Sequence, residues 1–121
     1  MTQIIAALSE VSDRYDALFV DLWGCVHNGI TAFPEAVAAL QAYRAGGGAV
    51  VLVTNAPRPR SGVQDHLTQM GLPQDCWDTI ATSGDSARVA LFSGVVGEKV
   101  WFIGEDRDAP FLEPPKLLPN P

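Results

Sequence analysis

The sequence predicts an α/β fold: a Rossmann-like, three-layer α/β/α arrangement around a mainly parallel sheet. Three observations carry this. Apolar, β-favouring runs alternate with segments at helical spacing. The runs at 17–20 (Ala-Leu-Phe-Val) and 49–53 (Ala-Val-Val-Leu-Val) contain no polar residue, as expected of strands in a parallel sheet. Both runs stop on polar residues, Asp21 after the first and Thr54-Asn55 after the second, which would gather chemistry at one edge of the sheet.

The elements follow in order. Residues 4–15 read as an amphipathic segment leading into a strand at 16–20. Residues 34–44 open on Pro34 and Glu35 and close on Arg44 before Gly46-Gly47-Gly48, which are helix start and stop signals. The run at 49–53 should be a strand covered on both faces. A helix over 60–70 carries Val63, Leu67 and Met70 on one stripe and ends at Gly71. A short strand follows at 79–81. Thr82-Ser83-Gly84-Asp85 then supplies capping side chains for a helix through Ala87, Val89, Ala90 and Leu91. Residues 99–104 (Lys-Val-Trp-Phe-Ile-Gly) read as a further strand. The core is expected to occupy residues 1–112. Residues 113–121 form a proline-rich tail expected to be disordered, because proline blocks both helix and central strand.

Composition narrows the function. A chain of 121 residues with 47% hydrophobic content makes one domain. Its net charge of −6, with eight scattered Lys and Arg, provides no basic stripe for nucleic acid or for an anionic membrane. Two cysteines, Cys25 and Cys76, are too few for a disulfide framework, and the start Met-Thr-Gln-Ile-Ile has no leader character. A cytoplasmic location with reduced thiols is the expectation.

A carboxylate at a strand tip can act as a nucleophile or as a ligand for a hard cation. The neighbouring Thr54 hydroxyl, Asn55 amide and backbone N–H groups would bind phosphoryl oxygens, with Arg58 and Arg60 near enough to add charge. A small phosphorylated molecule is the partner this pairing suggests.

Phe19-Val20-Asp21-Leu22-Trp23-Gly24-Cys25-Val26-His27-Asn28-Gly29 resembles the first motif of the haloacid dehalogenase-like (HAD) superfamily. Val51-Leu52-Val53-Thr54-Asn55-Ala56-Pro57-Arg58 resembles its second motif. The Asn, with the later Ile80-Ala81-Thr82-Ser83-Gly84-Asp85, resembles the branch of sugar-phosphate and nitrophenyl-phosphate phosphatases, subfamily IIA. The resemblance implies that Asp21 forms an aspartyl-phosphate and binds Mg²⁺ together with the backbone carbonyl of Trp23. It likewise implies that Thr54, Asn55, Gly24 and Arg58 hold the phosphate.

Two departures from the family pattern shape the expectation. The family carries a second Asp two residues after the nucleophile, as general acid and base, where this chain has Trp23. Indole does no acid–base chemistry near neutrality, and losing such a group removes about 10²–10⁴ in rate. The family's cap, later phosphate-binding Lys and acidic metal-binding motif have no counterpart here, since Lys99, Lys116, Asp106 and Asp108 stand elsewhere. The sequence therefore reads as a truncated HAD core, slow or inactive alone. The competing reading is a catalytically dead remnant that binds phosphate or metal without turnover. A nucleotide-binding module would need a phosphate loop that is not seen, because Gly46-Gly47-Gly48 precedes a strand rather than following one.

Each residue also has a structural reading. Asp21 would cap a turn with Gly24, and Thr54-Asn55 would cap the next segment. Trp23 reads as a packing residue, His27 as polar loop surface or a substrate contact, and Cys25 as buried and inert.

Overall fold

The computed structural model describes residues 1–114; most of the proline-rich tail, residues 115–121, lies outside the described residues. Three strands form where apolar runs meet: β1 (Ala17–Asp21), β2 (Ala49–Thr54) and β3 (Thr79–Thr82). All pair in parallel, in the order β1-β2-β3, with Asp21 opposite Val53 and Thr54 opposite Thr82. Parallel pairing requires crossovers, which α1 (Pro34–Ala45) and α2 (Arg60–Gln69) supply, and α3 (Ser83–Phe92) follows β3 directly. The expected α/β Rossmann-like fold is what the chain adopts.

The helix signals work as read. Pro34 occupies the first turn of α1, Glu35 lies in that turn and Arg44 in the last. Gly47, at φ +94°, turns the chain toward β2 in a conformation that favours glycine. The Thr82 side chain caps α3 by accepting a hydrogen bond from the Asp85 N–H at 2.9 Å.

Three expectations are corrected. Residues 4–15 do not form one amphipathic helix; they make two short 3₁₀ turns, Leu8–Glu10 and Ser12–Arg14, with no buried residue. Without an apolar stripe to bury, a short segment has nothing to offset the cost of helix nucleation. Residues 99–104 do not form a strand. Trp101 is 92% exposed, and a β-favouring run gains little until a neighbouring strand accepts its hydrogen bonds. The third concerns the sheet itself, which is covered on one face rather than two.

On that covered face Val50, Leu52 and Ile80 pack with Leu40 of α1 and with Val63 and Leu67 of α2. The opposite face carries Phe19, Val53 and Ala81, and Phe19 is 80% exposed. The amino edge of the sheet is tied by polar bonds. Arg44 grips Asp78 through two nitrogens at 2.6 and 3.2 Å, and Asp78 accepts the Val50 N–H at 2.7 Å. The Arg44 hydrogen bond, followed by that amide, holds the Asp78 carboxyl below its usual range.

Candidate active site

The carboxyl edge is where polar side chains collect. After β1 the chain folds back tightly, because the Leu22 carbonyl accepts the N–H groups of Cys25, Val26 and His27. Gly24 and Gly29 turn the loop at φ +75° and +89°, and the Asn28 carboxamide oxygen accepts the Ile30 and Thr31 N–H groups in a side-chain turn. At Gly29 a Cβ would run into the Trp23 indole, so glycine lets the ring lie across the loop.

The loop turns His27 inward. Its imidazole is 2% exposed, stands edge-on to Trp23 at 5.2 Å between centroids, and accepts the Gly29 N–H on Nδ1 at 2.9 Å. The expectation of polar loop surface is therefore corrected. Backbone folding around Leu22 buries the ring, which sequence alone does not reveal. Burial lowers the His27 pKa, His66 adds to this, and the Asp21 charge opposes it. Cys25 is corrected the other way: it is exposed, and Cys76 is the buried thiol.

After β2 the loop is held from α3. The Thr82 hydroxyl donates to the Arg58 carbonyl at 2.7 Å, and the Ser83 hydroxyl donates to the carbonyls of Asn55 at 2.8 Å and Ala56 at 3.0 Å. At Gly84 a Cβ would strike the Arg58 backbone, so the Thr-Ser-Gly segment acts as a clamp requiring a glycine. Thr54 is buried, and its Oγ1 accepts the Ala56 N–H at 3.2 Å. Arg60 does not join this loop's chemistry, because Asp85 holds its guanidinium at 3.0 Å.

A cavity of about 320 Å³ lies between the two loops, bordered by Trp23, His27, Thr54, Asn55, Arg58 and His66. His66, on α2, was missed in the sequence reading. Its place one position before Leu67 on the buried stripe was the available signal. His27 and His66 stand 6.1 Å apart, centroid to centroid.

Asp21 is exposed and borders a different hollow, between β1 and α1, with Cys25 and Leu40. Because Asp21 pairs with Val53, its side chain leaves the sheet on the face opposite to that of Thr54. Its Oδ1 accepts the Leu22 N–H at 2.8 Å. The Gly24 N–H is spent on the His27 carbonyl at 2.8 Å, so Gly24 is not offered to a ligand. The structure thus brings Thr54, Asn55 and Arg58 together with Trp23, and keeps Asp21 and Gly24 out of that cavity.

Among the described residues, no group of three or more His, Cys, Asp or Glu side chains could hold a metal ion. Mg²⁺ takes octahedral oxygen ligands, commonly one or two carboxylates with substrate phosphate and waters. The Asp21 carboxylate suits it in kind, and the Trp23 carbonyl accepts none of the loop's backbone hydrogen bonds among the described residues. These two oxygens make part of a site, not a complete one. No helix among the described residues is long and apolar enough to cross a membrane.

Residues 18–114 match the family model described as haloacid dehalogenase-like hydrolase. A solved structure, a hydrolase of the haloacid dehalogenase-like family from Brucella suis 1330, is 42% identical with a TM-score of 0.82. The similarity covers 89% of this chain and 39% of that one, so the chain spans well under half of its solved relative. No curated protein matches. With the family model matched over most of its length, the chain belongs to the haloacid dehalogenase-like hydrolase family.

Proposed function

We propose that the chain is the nucleophile-bearing part of a HAD-type phosphatase core of subfamily IIA, the sugar-phosphate and nitrophenyl-phosphate branch, acting on a small phosphomonoester. The observation that carries this reading is the pair of adjacent parallel strands ending in Asp21 and Thr54-Asn55, within the family match. An Asp21 carboxylate oxygen attacks phosphorus, the bond to the leaving oxygen breaks, and that oxygen takes a proton. Water then hydrolyses the aspartyl-phosphate, restoring the carboxylate and releasing inorganic phosphate. Thr54, Asn55 and Arg58 bind the phosphoryl oxygens. Asp21 and the Trp23 carbonyl are the ligands this segment offers Mg²⁺, which when bound supplies positive charge against the phosphoryl group.

With Trp23 in place of an acid, the leaving oxygen takes its proton from water, and turnover by this segment is slow. The reading includes a cytoplasmic setting and excludes nucleic acid and membrane as partners, in keeping with the acidic net charge.

A second reading, a remnant that binds phosphate or metal without turnover, is favoured by one observation: Asp21 and Thr54 border different hollows. Mg²⁺-dependent hydrolysis of 4-nitrophenyl phosphate, with Asp21→Asn as control, separates the two. Turnover lost in the variant supports the first reading, and no turnover from the folded chain supports the second.

A further inference from the structure

We propose that His66, together with Nε2 of the buried His27, forms a second wall of oxyanion donors facing Thr54, Asn55 and Arg58 across the cavity. The inference rests on the reading of this cavity as a phosphate site. It assigns ligand contacts to two imidazoles that neither motif includes.

The His27 ring carries the argument. It is 2% exposed, and Nδ1 is committed to the Gly29 N–H. That bond makes Nδ1 an acceptor, so in the neutral ring the proton sits on Nε2, which is a donor. Nε2 has no partner among the described residues. Yet no fully enclosed side-chain nitrogen or oxygen among them lacks a partner. Nε2 therefore reaches open space, and the space this ring borders is the cavity. A buried donor aimed into a cavity is costly unless a ligand or water accepts from it.

His66 completes the wall. It is partly buried on α2, and its ring borders the same cavity at 6.1 Å from His27. The Thr54 hydroxyl already accepts from the Ala56 N–H, which leaves its proton to donate. Thr54, Arg58 and two ring N–H groups thus present donors around one hollow. No carboxylate lines that hollow itself: Asp65 lines a neighbouring one, and Asp21, whose charge reaches the His27 ring, lines the hollow beside α1. A tetrahedral oxyanion suits such a lining, and a cation does not.

The test uses sulfate, a tetrahedral dianion at fixed charge, titrated into the whole chain at pH 7 with side-chain histidine resonances followed by NMR. Saturation is expected to shift the ring signals of His27 and His66 together with the amides of Thr54 and Arg58. His66→Leu is expected to weaken sulfate binding by roughly tenfold or more, the usual loss of a hydrogen bond to a charged group. His66→Gln, which keeps an N–H donor, recovers most of the affinity, a pattern that a packing role would not produce. The amide spectrum of each variant confirms that it is folded.

Sulfate that binds through Thr54 and Arg58, with the ring signals unmoved and His66→Leu binding like the parent, overturns the inference and leaves the phosphate reading standing. A cavity that binds no sulfate at all overturns both.

Discussion

The two edges of the sheet use polar side chains in opposite ways. At the amino edge Arg44, Asp78 and the Val50 amide close on one another, and the Tyr43 hydroxyl donates to the Tyr15 carbonyl at 2.6 Å. Their hydrogen-bonding capacity is spent on holding strands to helices. At the carboxyl edge the bonds run to backbone instead. Thr82, Ser83 and the Gly84 N–H anchor the loop at residues 55–58, and Gly29 anchors His27. Asn55, Arg58 and both histidines border the cavity. The sheet therefore keeps its mutually bonded polar groups at one edge and those bordering a hollow at the other, because loops at one edge are stitched to helices and those at the other surround that hollow.

The largest effects should appear at the carboxyl edge, in rate. Trp23→Asp restores an acid two residues after Asp21 and is expected to raise Mg²⁺-dependent hydrolysis of 4-nitrophenyl phosphate by about 10²–10⁴. Asp21→Asn in the same background should return it to the uncatalysed level, while urea denaturation changes by less than about 0.5 kcal/mol, as for other exposed positions. A rise in rate that survives Asp21→Asn would sink Asp21 as the nucleophile.

The layer between the two edges should respond in stability. Leu52 is fully buried at the centre of β2, and Leu52→Ala is expected to cost about 2–5 kcal/mol in urea denaturation. Phe19→Ala, on the open face, should cost under about 0.5 kcal/mol. Equal losses would show that the open face is packed in solution.

A smaller effect tests the clamp. Thr82→Val removes both the cap of α3 and the bond to the Arg58 carbonyl, with an expected cost of about 1 kcal/mol in thermal unfolding. Sulfate binding should weaken in parallel, and unchanged binding would mean that the loop holds its shape unaided.

The smallest effect belongs to the amino edge. The Asp78 pKa is depressed in the folded chain below its ordinary 3.8. Its contribution to stability is then complete above the unfolded value and is lost as pH falls through the folded one. Stability should decline below about pH 4, and Asp78→Asn should flatten that decline while lowering stability at neutral pH. A parent and variant with parallel acid limbs would remove Asp78 from the account.

Much of this was legible beforehand. Pro34, Arg44 and Gly47 mark α1, and Thr82 marks the start of α3, because caps act within a turn of the chain. The adjacency of Asp21 and Thr54 at one edge followed from two apolar runs in a parallel sheet. What failed were properties that depend on distant partners. Residues 99–104 have every local preference for a strand and no strand beside them, and Phe19 and Val53 have apolar side chains left exposed.

By itself, then, the sequence determined the three strands, the three helices that follow them, their order and the polar residues at the strand ends, since these depend on neighbours a few residues apart. Only the tertiary structure decided that His27 is buried, that His66 stands beside it at the same cavity, and that Asp21 leaves the sheet on the face away from Thr54. Each of these is set by strand register and by the way the loop wraps Leu22, where contacts depend on how separate segments pack rather than on the preferences of any one of them.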